Sequence, residues 1–311
     1  MSFNDRIRVL SRLRPLSSGE LSRGDEVVTH LSEEYIQIST HSGLQGTKVF
    51  KLDHILDQDS TQENVFTQVK RHLESALKGI NTTIFTYGQT GTGKTHTMLG
   101  YDMWSMAQGA DVDDIFSQMN MSDENMGIIP RSLIFFFETK SVARMTVAYI
   151  EIYNERVIDL LSEDQKENGT VLDIREDRKG GIYIPGLTEV DVTDLSQAMQ
   201  VLWVGAKARS VASTNANEHS SRSHTIFVVR VENVQLSDSG HTVRTFSKLC
   251  LVDLAGSEKW SSQQLASFPP ERVKELISIN KSLSALGNCI SALSSKGTRK
   301  KRETLRVDLH L

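Results

Sequence analysis

Residues 81–99 read NTTIFTYGQTGTGKTHTML, and inside them Gly88, Gln89, Thr90, Gly91, Thr92, Gly93, Lys94 and Thr95 satisfy the pattern G-x-x-x-x-G-K-[ST]. Ile84, Phe85 and Tyr87 make the run ahead of the glycines β-prone, and Lys94 onward reads as the start of a helix. Glycine is required there because backbone N–H groups have to close round an anion, which a Cβ would hold off. The first turn of the helix adds partial positive charge. Lys94 is expected to meet the β- and γ-phosphates, and the Thr95 hydroxyl to ligate Mg2+. A fortuitous glycine-rich turn is the alternative, but it has no reason to set a Lys-Thr pair at the mouth of a helix after a strand. The motif reads as nucleotide binding.

Working outward, 311 residues suffice for one large α/β domain or two small ones with a buried core. Lys and Arg number 35 against 39 Asp and Glu, a formal charge of −4, so nothing global draws the chain to nucleic acid. A polyanionic partner has to be met by a local patch. Cys250 and Cys289 lie in apolar surroundings, which suits a reducing compartment better than a disulfide framework. The N-terminal MSFNDRIR has no apolar leader core, and the apolar runs, such as 133–137, are far too short for a membrane span. A soluble cytoplasmic protein is expected.

Residues 7–13 and 49–56 each read as a strand, the first stopped by Arg14-Pro15. Ser60-Thr-Gln-Glu63 reads as a capping box opening a helix with Val65, Phe66, Val69, Leu73 and Leu77 on one face. That order, strand, helix, strand, phosphate loop, helix, is typical of parallel-sheet nucleotide folds. Residues 101–126 carry Asp102, Asp111, Asp113, Asp114, Asp123 and Glu124 with no Lys or Arg, and are expected to be a long acidic surface loop; a metal site is the alternative.

Helices are expected from 130 to 138, after Asp194, and from 271 to 294. Leu195, Met199, Leu202 and Ala206 face inward on the second. Val273, Leu276, Ile277, Leu283, Leu286, Ile290 and Leu293 mark the buried side of the third. Residues 145–153, 225–231 and 247–253 read as strands, with a short buried element at 157–161. The strand at 247–253 ends in Asp253-Leu-Ala-Gly256-Ser-Glu258, and a carboxylate just past an apolar strand in a phosphate-loop protein suits a second Mg2+ anchor. Strand-end Asp residues are also common turn formers.

Six segments, YGQTGTGKTHTM, GIIPRSL, YIEIYNERVIDLL, NEHSSRSH, LVDLAGSEK and INKSLSALGNCISAL, resemble the kinesin motor domain in that family's order, over roughly residues 6–295. The resemblance implies a P-loop NTPase of α/β class, with a central mixed β-sheet and helices on both faces. It also implies a microtubule-stimulated ATPase using ATP and Mg2+, located on the microtubule cytoskeleton. It assigns residues 1–295 to a motor-like domain and 296–311 to a basic run and tail.

Position by position, the resemblance puts Arg12, Arg14 and Pro15 on the adenine side, with His96 near the base. Asn217, Ser220, Ser221 and Arg222 belong to a first switch, and Asp253, Gly256 and Glu258 to a second. Ser221 joins Thr95 and Asp253 at Mg2+, and Arg222 pairs with Glu258 to close the site round the attacking water. An ordinary surface ion pair is the other reading of Arg222 and Glu258. Lys274, Lys281, Lys296, Arg299, Lys300, Lys301 and Arg302 would face the acidic microtubule; for the basic run, a solvated loop remains the alternative.

Two departures from the family are visible. Residues 259–270, KWSSQQLASFPP, lack the glycines and most of the basic residues usual there, and Phe268-Pro269-Pro270 reads as a stiff link into the following helix. After the basic run the chain reads RETLRVDLHL, without the family's further helices, interior strand and neck linker, and two unpaired strand edges and an opened core are expected. Leu305, Val307, Leu309 and Leu311 alternate with polar residues, a poor match to an interior strand buried on both faces. Two functions stay open: a motor core that hydrolyses ATP, and a non-motile, nucleotide-dependent tubulin- or microtubule-binding module.

Overall fold

The computed structural model describes residues 7–32, 34–38, 47–100, 124–163, 170–178, 181–213, 219–236 and 240–296. Most of the expected acidic loop, most of the basic run and all of the alternating tail lie outside the described residues. The chain forms two units, Met1–Val65 with Leu283–Leu311, and Phe66–Ser282.

In the first unit β1 (Leu10–Arg12) runs on to α1 (Ser18–Ser22), then β2 (Thr29–Leu31), β3 (Tyr35–Ile38), β4 (Lys48–Lys51) and β5 (His54–Leu56). β1 pairs in parallel with β5, and β2, β3 and β4 form an antiparallel meander. The single strand expected at 49–56 is two strands. Asp53 breaks it, because its carboxylate turns back to accept the Val9 N–H at 2.8 Å while its own N–H goes to the Val9 carbonyl at 2.9 Å. α1 opens on a reciprocal cap between Ser17 and Glu20.

α2 (Gln62–Leu77) buries Phe66, Val69 and Leu73, as its periodicity predicts. Its cap is one residue later than expected. Thr61 Oγ1 accepts the Asn64 N–H at 3.2 Å and Asn64 Oδ1 accepts the Thr61 N–H at 2.9 Å. Ser60 is not available for that role, since its hydroxyl donates to Asp57 at 2.7 Å in the preceding turn.

The second unit continues with β6 (Thr82–Thr86), α3 (Lys94–Met98), α4 (Ile128–Glu138), β7 (Val142–Tyr153), β8 (Arg156–Asp159), β9 (Thr170–Leu172), β10 (Arg175–Glu176), β11 (Ile182–Tyr183) and β12 (Val190–Val192). α5 (Leu195–Ser213), α6 (His219–Arg222), β13 (His224–Leu236), β14 (Thr242–Asp253), α7 (Ser262–Ala266) and α8 (Pro270–Lys296), whose residues from Leu283 on belong to the first unit, follow. Seven strands make a mixed sheet in the order β6-β14-β13-β7-β8-β9, with β12 also on β7. β6 and β14 are parallel and the remaining pairs antiparallel. Among the described residues β6 pairs on one side only, with β14.

The strands β7, β13 and β14 are longer than the apolar runs suggest. Arg144, Arg230 and Arg244 interrupt those runs, but each pairs across the surface, with Asp191 at 2.8 Å, Glu189 at 2.9 Å and Glu232 at 2.7 Å. A polar residue on the solvated face therefore extends a strand instead of ending it. On the other face Val147, Tyr149, Phe227, Val229, Leu249 and Leu251 are almost fully buried. α4 starts at Ile128, ahead of Pro130, which a first turn tolerates because its N–H would have no helical partner. α5 is capped by Asp194, whose carboxylate accepts the Gln197 N–H at 2.8 Å, and it buries Met199, Leu202 and Ala206.

α8 departs from its expected face: Leu276 and Ile279 are buried, whereas Ile277 and Leu293 stand 56% and 55% exposed. Residues 259–270 contain a short helix. α7 is capped reciprocally by Ser261 and Gln264, and the Trp260 and Phe268 rings meet edge to face at 5.2 Å, with the Arg272 guanidinium 4.3 Å from the Phe268 ring.

Candidate functional site

Strand register builds the site. β6 and β14 pair so that Thr86 lies opposite Asp253; β13 places Thr225 beside Asp253, and β7 places Glu151 beside Thr225. Directly opposed residues share a face, so Thr86, Asp253, Thr225 and Glu151 form one row across four strands. The glycine loop leaves β6 at the same end as the second switch leaves β14.

Within that loop Gly91 and Gly93 take φ of 77° and 91°, and a Cβ at either would meet no atom within 4 Å, so both border open space. The Gln89 carbonyl accepts the Lys94 ammonium at 2.9 Å and the Thr92 hydroxyl at 2.8 Å, which holds the loop closed on itself. Burial pushes the Lys94 pKa down, and the charges of Asp253 and Glu258 pull back against it. α3 is short, Lys94–Met98, so its dipole is smaller than the sequence reading assumed and the loop amides carry more of the positive potential.

Asp253 is the junction. Its Oδ2 accepts Thr95 Oγ1 at 2.6 Å and Arg209 Nη1 at 3.2 Å, and its Oδ1 accepts Thr86 Oγ1 at 3.4 Å. Arg209 also lies 3.8 Å from Glu151, and all three charged side chains are at most 2% exposed. A hydroxyl and a carboxylate side by side are hard oxygen donors of the kind Mg2+ takes, with phosphate and water completing its shell. Among the described residues no group of three or more His, Cys, Asp and Glu forms that would hold a metal alone. The donor set fits Mg2+ bound together with a nucleotide.

The second switch folds back on the loop. The Ser257 N–H donates to the Gly88 carbonyl at 3.1 Å and the Gly256 N–H to the Ser221 carbonyl at 2.8 Å. A Cβ at Gly256 would strike the Glu258 carboxylate and the Thr90 hydroxyl, so a larger residue there would push those side chains aside. Glu258 accepts from both the N–H and the hydroxyl of Thr90. Burial pushes its pKa up, but those donations and the Lys94 charge outweigh it and hold the carboxyl below its usual range.

Arg222 and Glu258 line one cavity of about 320 Å³ with Thr90, Ser221 and Gly256, yet they are not partners. Arg222 donates instead to Glu275 of α8 at 3.1 Å, and Tyr153 of β7 hydrogen-bonds the other oxygen of Glu275. The expected Arg222–Glu258 pair is thus replaced in this conformation, because each member has found a nearer partner.

Other expected residues fall elsewhere. Asn217 and the side chain of Ser220 lie outside the described residues, as do Arg299, Lys300, Lys301, Arg302 and the side chain of Lys296. Arg12 and Arg14 belong to the first unit. There Arg12 donates to Gln62 at 2.9 Å, and Arg14 binds Glu20 at 2.6 Å and the Pro15 carbonyl at 3.0 Å. His96 is exposed on α3. Lys274 is exposed, while Lys281 is committed to Glu155 at 2.8 Å.

Sequence reading passed over Arg209, Glu151 and Glu275, and placed Thr90 in the phosphate loop without its bond to Glu258. Two of them left a signal. Arg209 continues the buried spacing Met199, Leu202, Ala206 by three more residues, and Glu151 interrupts an otherwise apolar strand.

A seven-stranded mixed sheet that brings a glycine-rich phosphate loop and a strand-end aspartate together defines a P-loop nucleotide-binding fold. Residues 12–305 match the kinesin motor domain family, and the chain belongs to it. It is 39% identical over 293 residues to kinesin-like protein KIN-14R of Oryza sativa subsp. japonica, covering 93% of this chain and 27% of that protein. Against kinesin-like protein KIF15-B of Xenopus laevis it is 38% identical, covering 99% of this chain and 21% of that one. The chain therefore spans only about a quarter of the length of these relatives. A solved structure, "Structure of a fast kinesin: Implications for ATPase mechanism and interactions with microtubules", aligns with a TM-score of 0.75 at 32% identity, over 96% of this chain and 78% of that one.

Proposed function

We propose that this chain is an ATP-dependent motor core that binds Mg2+ and ATP and hydrolyses the nucleotide in response to microtubules. The observation that carries the reading is the pairing of both second-switch carboxylates with the phosphate loop, Asp253 with Thr95 and Glu258 with Thr90. One face of the loop thereby gains an oxygen pair suited to the cation, and the other an ionised carboxylate suited to orienting a water.

In this reading the amides of residues 88–95 and the Lys94 ammonium hold the phosphates, and Thr95, Asp253 and Ser221 would hold Mg2+. When bound, Mg2+ supplies neutralisation of the β- and γ-phosphate charge. Arg12, Arg14, Pro15 and His96 would serve the base, and Asn217 and Ser220 the first switch. The reactive arrangement exchanges partners: Glu258 releases Thr90, Arg222 releases Glu275, and the two join across the cavity. Glu258 gives up two bonds to Thr90 and Arg222 one to Glu275, each contributing about 1.5–3 kcal/mol, and a bidentate Arg222–Glu258 pair returns two, so the bound nucleotide has to supply the difference. Glu258 then orients water for in-line attack on the γ-phosphorus, and the bond to the bridging oxygen breaks. Exposed Lys274 and the basic residues beyond α8 would meet the acidic microtubule.

A second reading, a nucleotide-dependent microtubule-binding module without productive hydrolysis, draws on the same partners Thr90 and Glu275, which keep Glu258 and Arg222 apart here. Phosphate release from the purified chain, with and without microtubules, separates them. The motor core predicts slow basal release that rises at least tenfold with microtubules; the binding module predicts no release above background while nucleotide and microtubules still bind.

A further inference from the structure

His224 is the last residue of the first-switch motif and the opening residue of β13, and is 6% exposed. Its ring is bonded on both sides. Nδ1 lies 3.0 Å from the Ala255 backbone nitrogen, in the second switch, and Nε2 lies 2.7 Å from Ser282 Oγ, on α8. An amide can only donate, so Nδ1 is the acceptor and the ring proton sits on Nε2. The Ser282 hydroxyl is 2.8 Å from the Ile279 carbonyl, to which it donates, so its oxygen accepts from Nε2–H. Every donor and acceptor in the chain Ala255–His224–Ser282–Ile279 has one assignment. Burial pushes the ring pKa down to about 4, which keeps this neutral tautomer at physiological pH.

The placement matters because Ala255 is next to Gly256, whose N–H is bonded to Ser221, and two residues from Ser257, bonded to Gly88. Movement of the second switch away from the loop has to pull on the His224 ring or break its Nδ1 bond. The same ring is fastened to α8 at Ser282, one residue beyond Lys281 and two turns beyond Glu275, the present partner of Arg222. Taking the microtubule-stimulated ATPase reading as its basis, we infer that His224 is a positioning residue: it transmits the state of the second switch to α8 through Ser282, and so couples the nucleotide to the helix without touching the nucleotide.

Ser282→Ala removes the receiving oxygen and leaves a good helix former. His224→Asn keeps an acceptor near Nδ1 but loses the reach to Ser282, and His224→Gln does the reverse. All three are expected to bind ATP within about twofold of wild type and to keep basal release. Microtubule stimulation should fall about fivefold in kcat, the effect of losing one hydrogen bond. The double change His224→Asn with Ser282→Ala should be no worse than either single change, since both cut one bond. Wild-type stimulation in Ser282→Ala, or additive losses in the double variant, overturns the inference.

Amide exchange of residues 274–282, compared between Mg2+ with a non-hydrolysable ATP analogue and Mg2+ with ADP, gives a readout independent of hydrolysis. Wild type should change protection there and Ser282→Ala should not. If wild type changes protection but shows no stimulated release, the motor reading fails and the coupling stands. If wild type shows no change, or Ser282→Ala changes as much, the coupling fails.

Discussion

Asp253 engages Thr95, Thr86 and Arg209 from a position 2% exposed, and the energetic consequence lies with Arg209. Two carboxylates, Glu151 and Asp253, are desolvated beside one guanidinium, so removing the cation leaves uncompensated buried charge. Arg209→Met is expected to destabilise the fold by about 3–5 kcal/mol, read as a lowered midpoint in denaturant unfolding. A shift worth under about 1 kcal/mol would mean the carboxylates are satisfied by other groups. Lys94, Thr95, Asp253 and Glu258 were legible because each belongs to a local pattern a few residues long. That Arg222 stands here with Glu275 and not with Glu258 was not legible, since a choice between partners depends on which carboxylate stands nearest in space, and Glu275 is 53 residues away in sequence. Thr90 gave no signal of its own role: its bond to Glu258 spans 168 positions.

At the scale of elements, α5 lies against the sheet through Gly205, where a Cβ would be driven into the Tyr149 ring. Tyr149 is itself packed edge to face on Phe227 at 5.3 Å, so the ring has little room to retreat. Gly205→Ala gains helix propensity of about 1 kcal/mol but overpacks the core, which typically costs 1–3 kcal/mol, and the net should be destabilising. Thermal unfolding of Gly205→Ala should show a lower Tm; a higher one would mean that α5 shifts freely on the sheet. Elements carried by periodicity, such as α2 and the inner face of α5, could be read from sequence. Boundaries set by one side chain could not: Asp53 splits a strand, Thr61 takes the cap from Ser60, and surface-paired arginines extend β7, β13 and β14. The exposed Ile277 and Leu293 of α8 mark the limit of that method, because periodicity names an apolar face without naming what covers it.

For the whole molecule, membership of the kinesin motor domain family rests on residues 12–305, while the relatives it matches are several times longer. No described helix is long and apolar enough to cross a membrane. Near charge balance, at −4, leaves the proposed microtubule attraction to local groups, and Lys281 is already paired with Glu155. The proposed cycle therefore turns on the exchange of Glu258 and Arg222 between their present partners and each other. Glu258→Ala tests this most directly, with Lys94→Ala beside it, in a fluorescent-nucleotide titration followed by single-turnover phosphate release with microtubules. The account predicts that Lys94→Ala loses nucleotide affinity at least a hundredfold. Glu258→Ala should bind ATP within a few-fold of wild type yet release phosphate at least a hundred times more slowly. Release from Glu258→Ala at the rate of an active wild-type chain would contradict it.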